Sequence, residues 1–259
     1  MGSKPKLILL DLDGTLYFAG RAIPGAADAI ASLRRSGYRL RFLTNTDSKT
    51  PDQVLRDIES YELGVRAEEL FTPVVAALGL FAALPAPRLF SLVSANLEPL
   101  FRPYGGDGAA CSHVLVGDCR DRLDYQNLDR AFRALRGGAE LLALQHGRYF
   151  KAADGDHLDT GAIVAALEYA SGNSARILGK PSPDFLDLAA RSAGVTAAEI
   201  AVVGDDATTD MAMARAAGSM AIAVRTGKFA DQTREGRTID ADQLIDSVAD
   251  LPEILTRVG

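Results

Sequence analysis

Leu7-Ile8-Leu9-Leu10-Asp11-Leu12-Asp13-Gly14-Thr15 is the stretch that decides the fold. Four consecutive apolar residues end in a carboxylate. A run with no polar alternation needs apolar cover on both faces, which predicts a strand inside a parallel sheet. Asp11 and Asp13 stand two residues apart, and strand periodicity puts both on one side at the strand's carboxyl end. Gly14 and Thr15 then let the chain leave sharply. Two carboxylates held together need a cation or a proton to relieve their repulsion. The plainer reading of this pair alone is a solvated acidic turn.

Outward from this strand, a flap-like stretch covers 14–21. A helix is predicted over 24–36, with Pro24 in its first turn and Gly37 as its stop. Ala26, Ala29, Ile30 and Leu33 give that helix one apolar face. A strand over 39–43 and a helix over 51–63 follow. Late in the chain the pattern returns as a strand over 200–203, a helix over 209–217 and a strand over 220–224. This order implies an α/β fold, a Rossmann-like doubly wound parallel sheet whose strand ends carry the chemistry. The middle holds short strand-like runs (88–93, 113–116, 140–144) and two helices (125–135, 161–169). It reads as a smaller α/β domain inserted into the core after the linker at 84–88. The expected division is 1–83 core, 84–175 insert, 176–259 core.

Three further pieces fall at predicted strand ends or loops. Asp205, Asp206 and Asp210 follow the late strand, and parallel strands share one rim, so Asp11, Asp13 and Asp205 can converge on a hard cation such as Mg2+. Asp206 and Asp210 admit a second reading as helix-capping carboxylates. Thr44 and Asn45 close the second strand with a hydroxyl and an amide suited to a phosphate oxygen, though a plain turn would also contain them. Lys180, within Gly179–Pro183, has a backbone fixed by neighbouring Gly and Pro. A positioned lysine can offset the charge of both a nucleophilic carboxylate and a phosphate.

Composition narrows the partners. The chain has 259 residues, 47% of them hydrophobic, and a formal net charge of −6 without a basic run. A nucleic-acid partner needs a basic footprint and is not expected. The apolar run before Asp11 is too short for a signal-peptide core or a membrane span, so no membrane role and a cytoplasmic location are expected. Gly2 is set aside as an acylation site, because position 6 is Lys rather than a hydroxyl residue. Cys111 and Cys119 make neither a disulfide framework nor a four-ligand zinc site.

Taken together, DLDGT, TN, GKP and GDD with Asp210 resemble the four ordered motifs of the haloacid dehalogenase superfamily of phosphohydrolases. The resemblance covers nearly the whole chain. It implies that Asp11 is the nucleophile and Asp13 the general acid and base. It implies that Thr44, Asn45 and Lys180 hold the phosphoryl group. It also implies a Mg2+ ion on Asp11, the Asp13 carbonyl and Asp205, with Asp206 or Asp210 in support. The room between Asn45 and Lys180 places an α/β cap there, as in the NagD-like subgroup. TNTDSKTP (44–51), YQNLDRAFRAL (125–135), GRYFKAADG (147–155), GAIVAALEYASG (161–172) and VRTGKF (224–229) look like the phospholysine phosphohistidine inorganic pyrophosphate phosphatase branch. Asp47 and the charged stretch GDHLDTG (155–161) depart from that pattern.

The expected substrate is a small phosphorylated metabolite, pyrophosphate or an N-phosphorylated amine. Asp118, Arg120, His146, Arg148 and Tyr149 are cap candidates for contacting it; the plainer reading of each is a surface or packing residue. His113 is expected to pack or hydrogen-bond within the cap. Self-association through the cap is expected from the resemblance. A metal-independent dehalogenase and a non-catalytic phosphate-binding module are the rival readings. Asp13 and the acidic rim argue against the first, and the presence of both Asp11 and Asp13 against the second.

Overall fold

The computed structural model describes residues 4–106, 110–152 and 154–258; Gly2 lies outside them. In chain order come β1 (Leu7–Asp11), β2 (Tyr17–Phe18), β3 (Arg21–Ala22), α1 (Ala26–Arg35), β4 (Arg39–Leu43), α2 (Pro51–Glu59), β5 (Leu70–Phe71) and α3 (Pro73–Ala83). Next are β6 (Leu89–Leu92), α4 (Glu98–Phe101), β7 (His113–Val116), α5 (Tyr125–Arg136), β8 (Glu140–Ala143), β9 (Tyr149–Ala152), β10 (Gly155–Leu158), α6 (Thr160–Ser171) and β11 (Arg176–Ile177). The chain finishes with α7 (Pro183–Ala193), β12 (Ile200–Gly204), α8 (Ala212–Ala217), β13 (Met220–Val224), α9 (Phe229–Arg234), β14 (Gln243–Ile245) and α10 (Leu251–Val258). Two compact units result. One comprises Met1–Thr44, Pro51–Phe71 and Lys180–Gly259; the other comprises Asn45–Thr50 and Thr72–Gly179.

The first unit is built on a parallel sheet in the order β14-β13-β12-β1-β4-β5. β1 lies inside it with every residue buried, which is why its sequence shows no alternation. Leu7 pairs with Ile200 on one side and with Arg39 on the other. From β1 the chain builds the sheet first towards β4 and β5, and later towards β12, β13 and β14. The winding direction therefore reverses at β1, and the crevice at such a reversal collects side chains from two strand ends. Ile8, Leu10, Phe42 and Val203 pack with Ile30 and Leu33 of α1 and with Leu251 and Leu255 of the α10 region. The predicted apolar face of α1 is its buried face. Burying each such side chain fully is worth roughly 1.5–3 kcal/mol.

The second unit has its own parallel sheet, β11-β8-β7-β6, and an antiparallel pair, β9 with β10. Val114, Val116, Leu141 and Ala143 pack against Ala131, Leu135, Val164 and Leu167 of α5 and α6, with Leu128 and Phe132 at the margin. His113 meets the edge of the Phe81 ring and lies 2.7 Å from the Ser112 hydroxyl through Nδ1. The unit takes in more chain than 84–175. Besides Asn45–Thr50 it takes in the chain from Thr72, whose hydroxyl accepts from the Val75 backbone N–H at the start of α3, to Gly179. Phe81 of α3 packs against Phe101 and Tyr104, which accounts for its place in this unit.

Two helices differ from expectation at their ends. α2 stops at Glu59 rather than at 63, because the chain turns through Tyr61 and Glu62, the latter at φ 52°. The late helix begins earlier, as a π-type turn over Ala207–Met211 with Asp206 at its N-cap. Cys111 and Cys119 are both buried and are not joined in a disulfide. Among the described residues no helix is long and apolar enough to cross a membrane.

Candidate active site at the ends of β1 and β12

Leu10 pairs with Val203, so β1 and β12 end level and deliver Asp11 and Asp205 to one rim. The π-type turn after β12 adds Asp210. Ligand-type oxygens of Asp11, Asp205 and Asp210 lie within 4.8 Å of one another, and all three residues are buried. Lys180, also buried, reaches into this group just before α7. Its Nζ donates to Asp11 Oδ1 at 2.5 Å and to Asp210 Oδ1 at 2.7 Å. Of the four predicted groups with Asp11 at their centre, these therefore meet in one unit of the molecule.

The electrostatics follow from burial. Desolvation pushes the Asp11 carboxyl up to about 6; Lys180 opposes this and the Asp205 charge reinforces it. Asp205 is pushed up to about 6 by burial, with the Lys228 N–H opposing. Burial pushes Asp210 to about 7 against the pull of Lys180, with Asp11 adding repulsion. For Lys180, burial favours loss of the proton, but Asp11 and Asp210 outweigh it and hold the ammonium charged. One lysine between three carboxylates leaves an excess of negative charge in a dry place.

Asp205 shows where that charge is aimed. Its Oδ2 accepts from the Lys228 backbone N–H at 2.7 Å, whereas its Oδ1 is buried with no hydrogen-bond partner among the described residues. A buried carboxylate oxygen without a donor is what a hard cation would take as a ligand. Gly14 and Gly227 make room for it. A Cβ on Gly14 would stand 2.2 Å from Asp205 Oδ2, and one on Gly227 2.1 Å away. Both glycines also hold positive φ, 88° and 59°, which side chains disfavour. Thr226 closes the arrangement by donating to the Gly14 carbonyl at 2.5 Å. The three carboxylates and the orphaned oxygen fit a divalent metal ion.

The remaining predicted residues are placed as follows. Asp13 is exposed, and its carboxylate is outside the three-carboxylate group. β1 ends at Asp11, Leu12 beyond it is buried, and Asp13 lies on the turn that follows. Asp206 has its oxygens taken. Oδ1 accepts from the Thr208 N–H and hydroxyl and from Gln232 Nε2, and Oδ2 accepts from Lys228 Nζ at 3.0 Å. Burial acts against its charge, but Gln232, Lys228 and Thr208 hold its carboxyl well below the usual range. It is the cap of the π-type turn, the second of the two readings open from sequence. Thr44 follows Leu43, the residue paired with Asp11 across β1 and β4. Asn45 is the first residue of the second unit.

Of the cap candidates, Asp118 and Arg120 are ion-paired to each other, and the Arg120 guanidinium lies 4.7 Å from the centre of the Phe150 ring. Both line a cleft of about 340 Å³ with Leu123, His157, Asp159 and Ile163. His146, Arg148 and Tyr149 are exposed, and His146 stands 3.9 Å from Glu168. Sequence reading missed what Lys228 and Gln232 do for Asp205 and Asp206. The Gly-Lys pair in 224–229 was visible, but a donating backbone N–H has no signature in residue type.

Comparison with known proteins agrees with this geometry. Residues 8–106 match the haloacid dehalogenase-like hydrolase model, and residues 177–251 match a second, HAD-hydrolase-like model. The phospholysine phosphohistidine inorganic pyrophosphate phosphatase of Xenopus laevis is 34% identical over 257 residues, covering 96% of this chain and 94% of that one. Haloacid dehalogenase-like hydrolase domain-containing protein 2 of Bos taurus is 36% identical over 224 residues, covering 86% and 85%. The solved p-nitrophenyl phosphatase from Archaeoglobus fulgidus superposes with a TM-score of 0.84 at 25% identity, covering 97% of this chain and 99% of that one. Fold, site and likenesses define an α/β phosphatase. The chain belongs to the haloacid dehalogenase-like hydrolase family, and its fold is also that of NagD from E. coli, which superposes with a TM-score of 0.82 at 22% identity and covers 95% of this chain and 98% of that one.

Proposed function

We propose that this phosphatase is magnesium-dependent and works through an aspartyl-phosphate on Asp11. The observation that carries the proposal is the buried Asp11–Lys180–Asp210 bridge beside an Asp205 oxygen that lacks a donor among the described residues. A carboxylate kept dry and oriented by a lysine is a competent nucleophile. An Asp11 oxygen attacks phosphorus while the bond from phosphorus to the leaving oxygen or nitrogen breaks. Asp13, exposed on the turn after β1, gives its proton to the leaving atom. It then takes a proton from water, which attacks the same phosphorus and frees Asp11. Lys180 offsets charge on Asp11 and on the phosphoryl oxygens throughout. Thr44 and Asn45 hold the phosphoryl group.

Asp11, Asp205 and the main-chain carbonyl of Asp13 would hold Mg2+, with Asp210 rather than the fully engaged Asp206 in support. When bound, the ion would neutralise charge on the phosphoryl oxygens. Candidate substrates are the ones in the names of relatives: pyrophosphate and N-phosphorylated amines such as phospholysine and phosphohistidine. A cytoplasmic location and self-association through the second unit belong to the same proposal. Exposed Tyr125 and Tyr169 on α5 and α6 are compatible with a protein contact, and sizing chromatography tests it.

Turnover of p-nitrophenyl phosphate, measured with Mg2+ and with chelator, tests the reaction. Turnover that needs the metal and vanishes in Asp11→Asn is expected. Turnover unaffected by chelator, or none at all, would refute it. A panel containing pyrophosphate, phospholysine and phosphohistidine then ranks the substrates by kcat/KM.

A further inference from the structure

Two stretches set this chain apart from the pattern that its motifs otherwise follow: Asp47, and residues 155–161. The structure joins them. The Thr160 hydroxyl donates to Asp47 Oδ2 at 2.6 Å, and both residues are buried. Thr160 opens α6, a helix of 12 residues, so the Asp47 carboxylate sits at a favourable end of the helix dipole. Asp159, the cap of that helix, accepts from the Thr160 N–H at 2.9 Å and from Gln145 Nε2 at 2.6 Å. One residue beyond Asp47, the Ser48 carbonyl accepts from Asn96 Nδ2 at 3.0 Å. The segment 45–50 is thus held at two points within the second unit, although its neighbours in sequence, Thr44 and Pro51, belong to the first.

This placement is unfavourable for a carboxylate unless it serves something. Asp47 is desolvated, and Asp159 and Asp118 face it with like charge. A hydroxyl-to-carboxylate bond is short and directional, and stronger than one between neutral groups. It is therefore suited to fixing a segment in one position. The segment it fixes begins with Asn45, next to Thr44 at the end of β4. Asn45 is closely fitted: a Cβ on Gly179 would stand 2.9 Å from its Oδ1, and Gly179 directly precedes Lys180.

We infer that Asp47 is a positioning residue for phosphate binding: through its bond to Thr160 it anchors segment 45–50 and fixes the Asn45 amide within the second unit. The inference rests on the reading of Thr44 and Asn45 as phosphate-binding residues. Small displacements of such a donor matter, because binding and rate both depend on near-ideal placement.

The test uses the full chain, p-nitrophenyl phosphate as substrate and inorganic phosphate as product inhibitor. Asp47→Ala and Thr160→Val should each raise KM and the phosphate inhibition constant by about tenfold, the scale of one charge-assisted hydrogen bond. kcat should fall less than KM rises. Asp47→Asn keeps an oxygen that can accept from Thr160 and should recover most of the loss. The double variant Asp47→Ala/Thr160→Val should be no worse than Asp47→Ala alone. Should Asp47→Ala fail to fold, Thr160→Val and Asp47→Asn decide. Lower melting temperatures with unchanged KM and inhibition constant would reduce the pair to a structural contact and overturn the inference. An Asp47→Asn variant as impaired as Asp47→Ala would overturn it too. Absence of wild-type turnover would instead overturn the parent reading, which separates the two failures.

Discussion

The rim of the first unit's sheet buries its carboxylates and the polar cluster of the second unit buries Asp47 and half-buries Asp118 and Asp159, but the two treat them in opposite ways. At the rim, Asp11 and Asp210 share Lys180, and one oxygen of neighbouring Asp205 has no donor among the described residues. In the second unit, Asp118 has Arg120, Asp159 has Gln145 and the Thr160 N–H, and Asp47 has the Thr160 hydroxyl. Stability alone would select the second arrangement, since unpaired buried charge is destabilising. Excess charge at the end of a central strand therefore marks the place where a cation and a phosphate are expected. Satisfied charge marks architecture that holds other groups still.

Substitutions can break this contrast. The largest expected effect is on chemistry: Asp11→Asn should reduce turnover roughly 10⁴-fold or more, as removal of a nucleophile does elsewhere. The fold, read by circular dichroism, should persist. Lys180→Met comes next. It leaves Asp11 and Asp210 buried without their cation, and should destabilise the metal-free protein by about 3–5 kcal/mol in denaturant titration. A loss below about 1 kcal/mol would mean that the rim is far wetter than its burial implies.

The pH dependence sharpens the contrast further. Asp11, Asp205 and Asp47 are raised to about 6 and Asp210 to about 7, all above an unfolded carboxylate. Between about pH 4 and 7 the folded state thus holds protons that the unfolded state has released. Stability of the metal-free protein should therefore fall as pH rises through this window. A rise of two units corresponds to about 3 kcal/mol per group. Mg2+ at pH 7.5 should restore stability by mass action, about 2.7 kcal/mol at a hundredfold excess over Kd. It should act on the rim and not on Asp47, so Asp47→Asn should flatten the part of the profile that Mg2+ leaves untouched. Melting curves at pH 5 and 8, with and without Mg2+, check both statements. The smallest effect is expected at the surface: Arg133→Ala, in an exposed pair with Asp129, should change stability by less than about 0.5 kcal/mol.

Much of the sheet and the rim could be read in the sequence, because parallel-sheet burial leaves a clear trace. β1 announces itself as an unbroken apolar run, and Asp11, Asp205 and Asp210 are identifiable as carboxylates just past strand ends. α3 was not legible: its sequence, PVVAALGLFAA, is apolar on every side and so has no polar face and no period. The pair β9 and β10 was missed because β10 is short, polar and mostly exposed. The exposure of Asp13 could not be read, because two-residue periodicity holds only within β1, which ends at Asp11. Asp47 stood out in the sequence only as a departure from the pattern, and its bond partner, Thr160, lies 113 residues away.

The claim that Asp11 attacks phosphorus is tested most directly by mass spectrometry of enzyme quenched in acid during turnover with Mg2+. One phosphoryl group on the peptide containing Asp11, absent in Asp11→Asn, is the predicted result. Steady turnover with no phosphorylated Asp11 peptide at any quench time, and an Asp11→Asn variant as fast as wild type, would contradict it.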